Sequence, residues 1–231
     1  WQLNDWWPVY SDSAIDHGLN LKATMYAARR FNKPLIAFLD SDKNSEFDSV
    51  ATVVWDLPKA ITGRLVVTRR KIVDGGEVEK TVYPFSFDGA GVKTFGKKEK
   101  EDQNTFLVLS VEAQDALGVV YRNSETETVS KIVKTPLPSP GIAIESVKAV
   151  ENGDFEVTVS AKAPSFATML IVEDDAGGTF DDNFVTLLKG SRTFRYTPGA
   201  KMTVAQFRSK LYVRNLKDAL ISNPATGFSG K

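Results

Sequence analysis

The side chains best suited to chemistry stand together at the start of the sequence. Trp1-Gln2-Leu3-Asn4-Asp5-Trp6-Trp7-Pro8 sets three indoles beside amide and carboxylate groups. An indole offers a flat apolar floor to a polar ring such as a hexose, and amides and carboxylates orient the hydroxyls of that ring. Tryptophan is equally a large core filler, so composition alone leaves both readings open. The stretch begins without Met, signal-like segment or leading loop and reads as an internal cut through a longer protein.

No segment of the chain carries a complete catalytic constellation. His17 is the one histidine; Asp16 adjoins it, and Ser11 and Ser13 are near. A triad needs base, nucleophile and orienting group to converge in space, which sequence neighbours seldom do without a defined turn. The pairs Asp174-Asp175 and Asp181-Asp182 lie in Gly-bounded loops between strands and read as turn formers. Asp181 to Asn183 lack the frame of an EF-hand calcium loop, and no Gly-rich phosphate loop opens a helix. With no cysteine in the chain, thiolate nucleophiles, disulfides and cysteine-ligated zinc are excluded.

Acidic and basic residues balance at 29 each. Such a chain lacks the basic footprint of a nucleic-acid binder, and that class of partner is set aside. The longest apolar runs, such as Phe106 to Val111, are far short of a bilayer span, so no membrane partner is expected either. At 42% hydrophobic and 25% charged, 231 residues suffice for one or two domains with real cores.

The elements that would position the opening residues follow in order. Trp1 to Asp16 reads as a loop leaving a strand end. Asn20 to Phe31 reads as a helix, with Leu21, Met25 and Ala28 on one face, Arg29 and Arg30 in the last turn, and Pro34 as a stop. Beyond Pro34 the period changes to two. Strands are predicted at Leu35 to Leu39, Val50 to Asp56, Gly63 to Ile72, Val78 to Phe87, Thr105 to Ala113 and Glu127 to Val133, and the mixed-charge run Lys97 to Asp102 as a solvated loop. Thr135-Pro-Leu-Pro-Ser-Pro-Gly141 marks a link between domains. After it, Ile144 to Val150 and Phe155 to Ala161 flank the hairpin signal Asn152-Gly153. Further strands fit at Ala167 to Glu173, Arg192 to Tyr196 and Ser209 to Asn215.

The order Trp1-Gln2-Leu3-Asn4-Asp5-x-Trp7-Pro8-x-x-Ser11-x-x-x-x-Asp16, running into the helix, resembles the β-mannosidases of glycoside hydrolase family two. Thr179-Phe-Asp-Asp-Asn-Phe-Val-Thr-Leu-Leu188 is similar to a phrase in that family's last domain, and Leu137-Pro-Ser-Pro-Gly-Ile142 to the join between its two sandwiches. Asp12, His17 and Ala23 depart from the pattern, standing where a tryptophan, a tyrosine and a proline are usual.

The resemblance implies a mainly β chain: two immunoglobulin-like β-sandwich domains preceded by the last loop and helix of a (β/α)8 barrel. The expected division is 1–33 for the barrel end, 34–135 and 136–222 for the sandwiches, and 223–231 for a tail. It implies hydrolysis of terminal, non-reducing β-mannosyl residues with retention, by two glutamates about 5–5.5 Å apart that precede Trp1. The partners implied are therefore the N-terminal remainder of the same enzyme and a mannoside or manno-oligosaccharide substrate, with no cofactor and no metal. Within this chain Trp1 is expected to wall the mannose subsite. Asn4 and Asp5 either touch sugar hydroxyls or brace the loop, and Trp7 packs under it with Pro8. A sister group acting on β-linked glucosamine shares the Trp-x-Leu-Asn-x-x-Trp-Pro frame. A non-catalytic reading also stands: a free pair of immunoglobulin-like modules binding glycans or protein through surface aromatics such as Trp55 and Phe180.

Overall fold

The computed structural model describes residues 3–6, 12–41, 49–99, 102–128, 135 and 137–218. Its elements are mainly antiparallel strands, as the alternation predicts, and they fall into two compact units: Arg30–Leu137, and Trp1–Arg29 with Pro138–Lys231.

In the unit Arg30–Leu137, β1 (Leu35–Ser41), β2 (Ser49–Trp55) and β5 (Gly91–Glu99) form one sheet in the order β1-β2-β5. The other sheet comprises β3 (Ile61–Lys71), β4 (Glu77–Phe87), β6 (Thr105–Asp115) and β7 (Val120–Thr128), in the order β4-β3-β6-β7. Period two decides what is buried: Leu107, Leu109, Val111 and Ala113 of β6 enter the core with Leu35, Val53 and Trp55 of the first sheet. Gly63 on β3 is required by close approach, since a Cβ there would lie 2.3 Å from the Glu112 carbonyl oxygen. Trp55 is fully buried; its indole N–H donates to the Lys59 carbonyl at 2.8 Å, and its ring meets Tyr121 edge-on at 4.9 Å. Phe180, in the other unit, is 3% exposed. The expectation that these two aromatics form a binding face is therefore overturned: both are core residues.

Two strands escape the sequence reading for the same reason, polarity. β5 runs on through Lys97 and Lys98 to Glu99, where a solvated loop was expected. β7 lies at Val120–Thr128, earlier than the expected Glu127 to Val133, whose residues 129–133 fall outside the described set. Tyr121 on β7 packs against the core, and the residues sharing its face are Asn123, Glu125 and Glu127. Arg30 meets Glu125 at 3.6 Å. Burial, and secondarily the Glu125 charge, push the Glu127 carboxyl up to about 7.

In the other unit, β8 (Ala143–Ala149), β9 (Phe155–Ala161), β11 (Thr179–Phe180) and β13 (Gly190–Thr197) form a sheet in the order β11-β13-β9-β8. β10 (Ser165–Val172), β12 (Val185–Leu187) and β14 (Leu211–Arg214) form its counterpart, in the order β12-β10-β14. Asn152 and Gly153 have φ of 64° and 83°, the left-handed pair that an Asn-Gly hairpin turn demands. Phe155, Val157 and Val159 are buried beside Phe194, Tyr196 and Phe207, with Phe155 stacked on Phe207 at 4.3 Å.

Phe207 comes from α2 (Val204–Lys210), a helix the sequence reading does not assign, whose last two residues take the first two positions of the strand expected at Ser209 to Asn215. Its start is a capping box: Thr203 Oγ1 accepts from the Gln206 N–H while the Gln206 side chain accepts from the Thr203 N–H. Thr203→Ala is expected to cost about 1 kcal/mol, read as a lower urea midpoint with an unchanged slope.

The helix α1 (Ala23–Phe31) buries Tyr26 most deeply, rather than Met25. Tyr26 joins the core of the C-terminal sandwich, and Leu21 packs against it. The Tyr26 hydroxyl accepts from the Phe180 N–H at 3.3 Å, and Arg29 donates to the Phe180 carbonyl. Residues up to Arg29 therefore find a partner layer within this chain.

Candidate functional site

The opening loop is laced to the segment before α1. Asn4 bridges Ile15 in parallel and Ile15 bridges Leu21 in antiparallel fashion. The Leu3 carbonyl accepts from the N–H groups of Ala14 and Ile15, and the Asp5 N–H donates to the Ile15 carbonyl, each at 3.0 Å. Three backbone bonds to so short a stretch fix where residues 3–6 sit, because each leaves few alternative φ/ψ combinations.

The Asp5 carboxylate is buried at 3% exposure and receives the Lys22 ammonium at 2.8 Å. The same ammonium donates to Ser13 Oγ at 2.9 Å, and that hydroxyl donates to the Ile15 carbonyl. A carboxylate this deeply buried needs such a cation, since desolvation disfavours its charged form. In the sequence Lys22 is simply one residue of the helix expected over Asn20 to Phe31. The lone signal of its role is its position just ahead of α1, where an ammonium can fold back toward the loop. Asn4 is half-buried beside Asp5, and Trp6 is 81% exposed.

Of the residues expected to line a sugar subsite, Asn4 and Asp5 are among the described residues. Trp1, Trp7, Pro8 and Ser11 lie outside the described residues. His17 is exposed, whereas Ser13 is buried and bound to Lys22 and Ile15. The acidic loop residues act as turn formers. Asp181 Oδ1 accepts from the N–H groups of Asp182 and Arg195, and Asp182 accepts from the Asn183 N–H and the Arg192 guanidinium. Asp175 accepts from Tyr196 at 2.6 Å; burial and this carboxylate raise the Tyr196 phenol far above its usual range.

The motif from Thr179 to Leu188 has a physical core that the sequence did not reveal. Asn183 Oδ1 accepts from the Leu170 N–H at 2.9 Å, and its Nδ2 donates to the Leu170 carbonyl at 2.8 Å. The side-chain amide thus stands in for a neighbouring strand's peptide group on the edge of β10. Its oxygen also accepts from the Phe184 N–H, holding Phe184 at a left-handed φ of 54°. A motif built on this amide belongs to the architecture of the domain.

Residues 137–219 match the Ig_mannosidase family model, described as an Ig-fold domain. The C-terminal sandwich lies wholly within this match. The fold as a whole is similar to part of the β-D-mannosidase from Dictyoglomus thermophilum, with a TM-score of 0.71 at 19% identity over 94% of this chain and 26% of that one. It is also similar to part of the exo-chitosanase CsxA of Amycolatopsis orientalis, with a TM-score of 0.57 at 17% identity over 93% of this chain and 29% of that one. The chain thus spans between a quarter and a third of the solved structures it matches. No curated protein sequence matches it. The matched span contains Asn183, Tyr196 and Phe207, residues that close the core of this sandwich.

Proposed function

We propose that this chain is the C-terminal part of a retaining, exo-acting β-mannosidase of glycoside hydrolase family two. The observation that carries the reading is the order of residues from Trp1 to Asp16, leading into α1 and followed by a match to the Ig_mannosidase family model. The partner is the preceding polypeptide of the same enzyme, a (β/α)8 barrel that supplies the two glutamates. The substrate is a mannoside or manno-oligosaccharide. Trp1 walls the subsite, excluding water and fixing the ring near the reacting bond. Asn4 meets sugar hydroxyls, and Asp5, tied to Lys22, holds the loop that presents both. The sandwiches buttress the barrel. No cofactor or metal takes part.

A second reading, exo-β-glucosaminidase, is favoured by the shared Trp-x-Leu-Asn-x-x-Trp-Pro frame and by the likeness to the exo-chitosanase. The enzyme comprising this chain and its preceding polypeptide, assayed on aryl β-mannoside and aryl β-glucosaminide, separates the two. The expected outcome is a kcat/KM at least about tenfold higher for the mannoside, a margin of about 1.4 kcal/mol in transition-state binding. The reverse preference selects the second reading, and turnover of neither overturns both. The 231-residue chain alone is expected to turn over neither.

A further inference from the structure

A crevice of about 190 Å³ opens in the unit that holds the C-terminal sandwich, between the 16–26 segment and β10. Pockets for drug-sized molecules run from roughly 300 Å³ upward, so this one admits a single small ring. Its chemistry narrows the class further. The rings of Tyr26 and Phe184 form part of the wall, their centroids 5.8 Å apart and tilted by 43°. Tyr26 is 3% exposed, its hydroxyl engaged with Phe180 and Thr179, so it backs Phe184, whose half-buried ring supplies the apolar surface.

Opposite chemistry comes from Asp16 and Asn20, joined by bonds of 2.9–3.2 Å from the Asn20 N–H and amide to the carboxylate. No lysine or arginine lines the crevice among the described residues, so it does not suit an anion. A purely apolar occupant fits no better, because β10 presents an open edge here. The pairing of β10 with β12 ends at Thr168, and Asn183 serves Leu170 in place of a strand. Peptide groups alternate along a strand, so the N–H and C=O of Val172 lie on the same edge as those of Leu170. No strand pairs with that edge at Val172 among the described residues, and Val172 lines the crevice. A peptide group there requires a polar partner. Backbone strain flanks the same place: Leu19, between Asp16 and Asn20, and Phe184 both hold left-handed φ, of 65° and 54°.

We propose that this crevice binds a neutral, polyhydroxylated ring of monosaccharide size. The ring lies against Phe184, with its hydroxyls shared between the Asp16–Asn20 pair and the Val172 edge of β10. This inference does not rest on the glycosidase reading: an inactive full-length enzyme leaves it standing, and its failure leaves the kinetics of that enzyme untouched.

The test is a ¹⁵N-resolved titration of the 231-residue chain with methyl β-D-mannopyranoside, with cyclohexanol and inorganic phosphate as probes of similar or smaller size. The expected result is a saturable shift of the Val172 and Asn20 amide signals by the glycoside alone, with a Kd of about 1–20 mM. Asn20→Ala, at an exposed position, should weaken that binding at least about fivefold, and Met169→Trp, which fills the crevice, should abolish it. Absence of a saturable Val172 shift up to about 100 mM, an equal response to cyclohexanol, or undiminished binding in both variants overturns the proposal. Spectral dispersion in each variant confirms that it is folded.

Discussion

Replacing Asn183 by alanine is expected to destabilise the C-terminal sandwich by about 3–5 kcal/mol, since it strands the Leu170 N–H and C=O and the Phe184 N–H, each costing about 1–3 kcal/mol if left buried and unpaired. The side chain is 4% exposed, which limits how far water can replace it. Asn183→Asp should do no better. It keeps the acceptor for the Leu170 N–H but turns a second oxygen toward the Leu170 carbonyl, where the amide donates at 2.8 Å. Urea denaturation of both variants is the measurement. A midpoint within error of the parent in either would show that the amide does not bridge β10. The effect should be confined to the transition of this domain, because the two compact units have separate cores.

Glu127→Gln is expected to stabilise the other sandwich by roughly 2–3 kcal/mol at pH 7.5 and by little at pH 4.5. The folded-state carboxyl sits at about 7, against an ordinary 4.5. Below 4.5 the group is protonated both folded and unfolded, so it costs nothing. Between 4.5 and about 7 the unfolded chain releases the proton while the folded chain retains it, and stability falls as pH rises. Above about 7 both forms are ionised and the loss is constant. Arg30 is placed on Glu125, and no cation pairs with Glu127 among the described residues. Denaturation of parent and variant at several pH values isolates this group, because other titrations cancel in the difference. A difference that does not change between pH 4.5 and 7.5 would mean that Glu127 titrates normally.

The fold was legible wherever one physical signal acted alone. The Asn152-Gly153 turn and the alternation of β9 specify a hairpin without tertiary help, and the structure places both as read. β5 and β7 were hidden because the rules that equate charge with loop and burial with apolarity fail there. β7 turns Asn123, Glu125 and Glu127 to the face of Tyr121, and β5 carries lysines to its end. The α2 helix was detectable in principle: Thr203-x-x-Gln206 is a capping box in the sequence, overlooked because Leu211 to Asn215 reads so strongly as strand. The depth of Trp55 was signalled by its alternation with Ala51 and Val53 along β2; the partners that seal its ring, Tyr121 and Lys59, are distant in sequence or become neighbours only by a turn.

The candidate site was legible in a different measure. The resemblance singled out Asn4 and Asp5, and the structure shows how Asp5 is held but needed Lys22 and Ser13 to do it. Neither could be assigned from spacing, since the pairing of Asp5 with Lys22 exists only once the loop has folded back on Ala14 and Ile15. Asn183 lies within the Thr179 to Leu188 motif, but its task depends on the edge of β10, which no local pattern reveals.

The most direct measurement is the hydrolysis of an aryl β-mannoside by the full-length enzyme, before and after Trp1→Ala. If Trp1 walls the sugar subsite as proposed, it helps to hold the ring in the transition state, so kcat/KM should fall about tenfold or more, with KM raised, kcat lowered, or both. Unchanged constants in a folded variant would contradict the account, because they would place the opening indole away from the substrate.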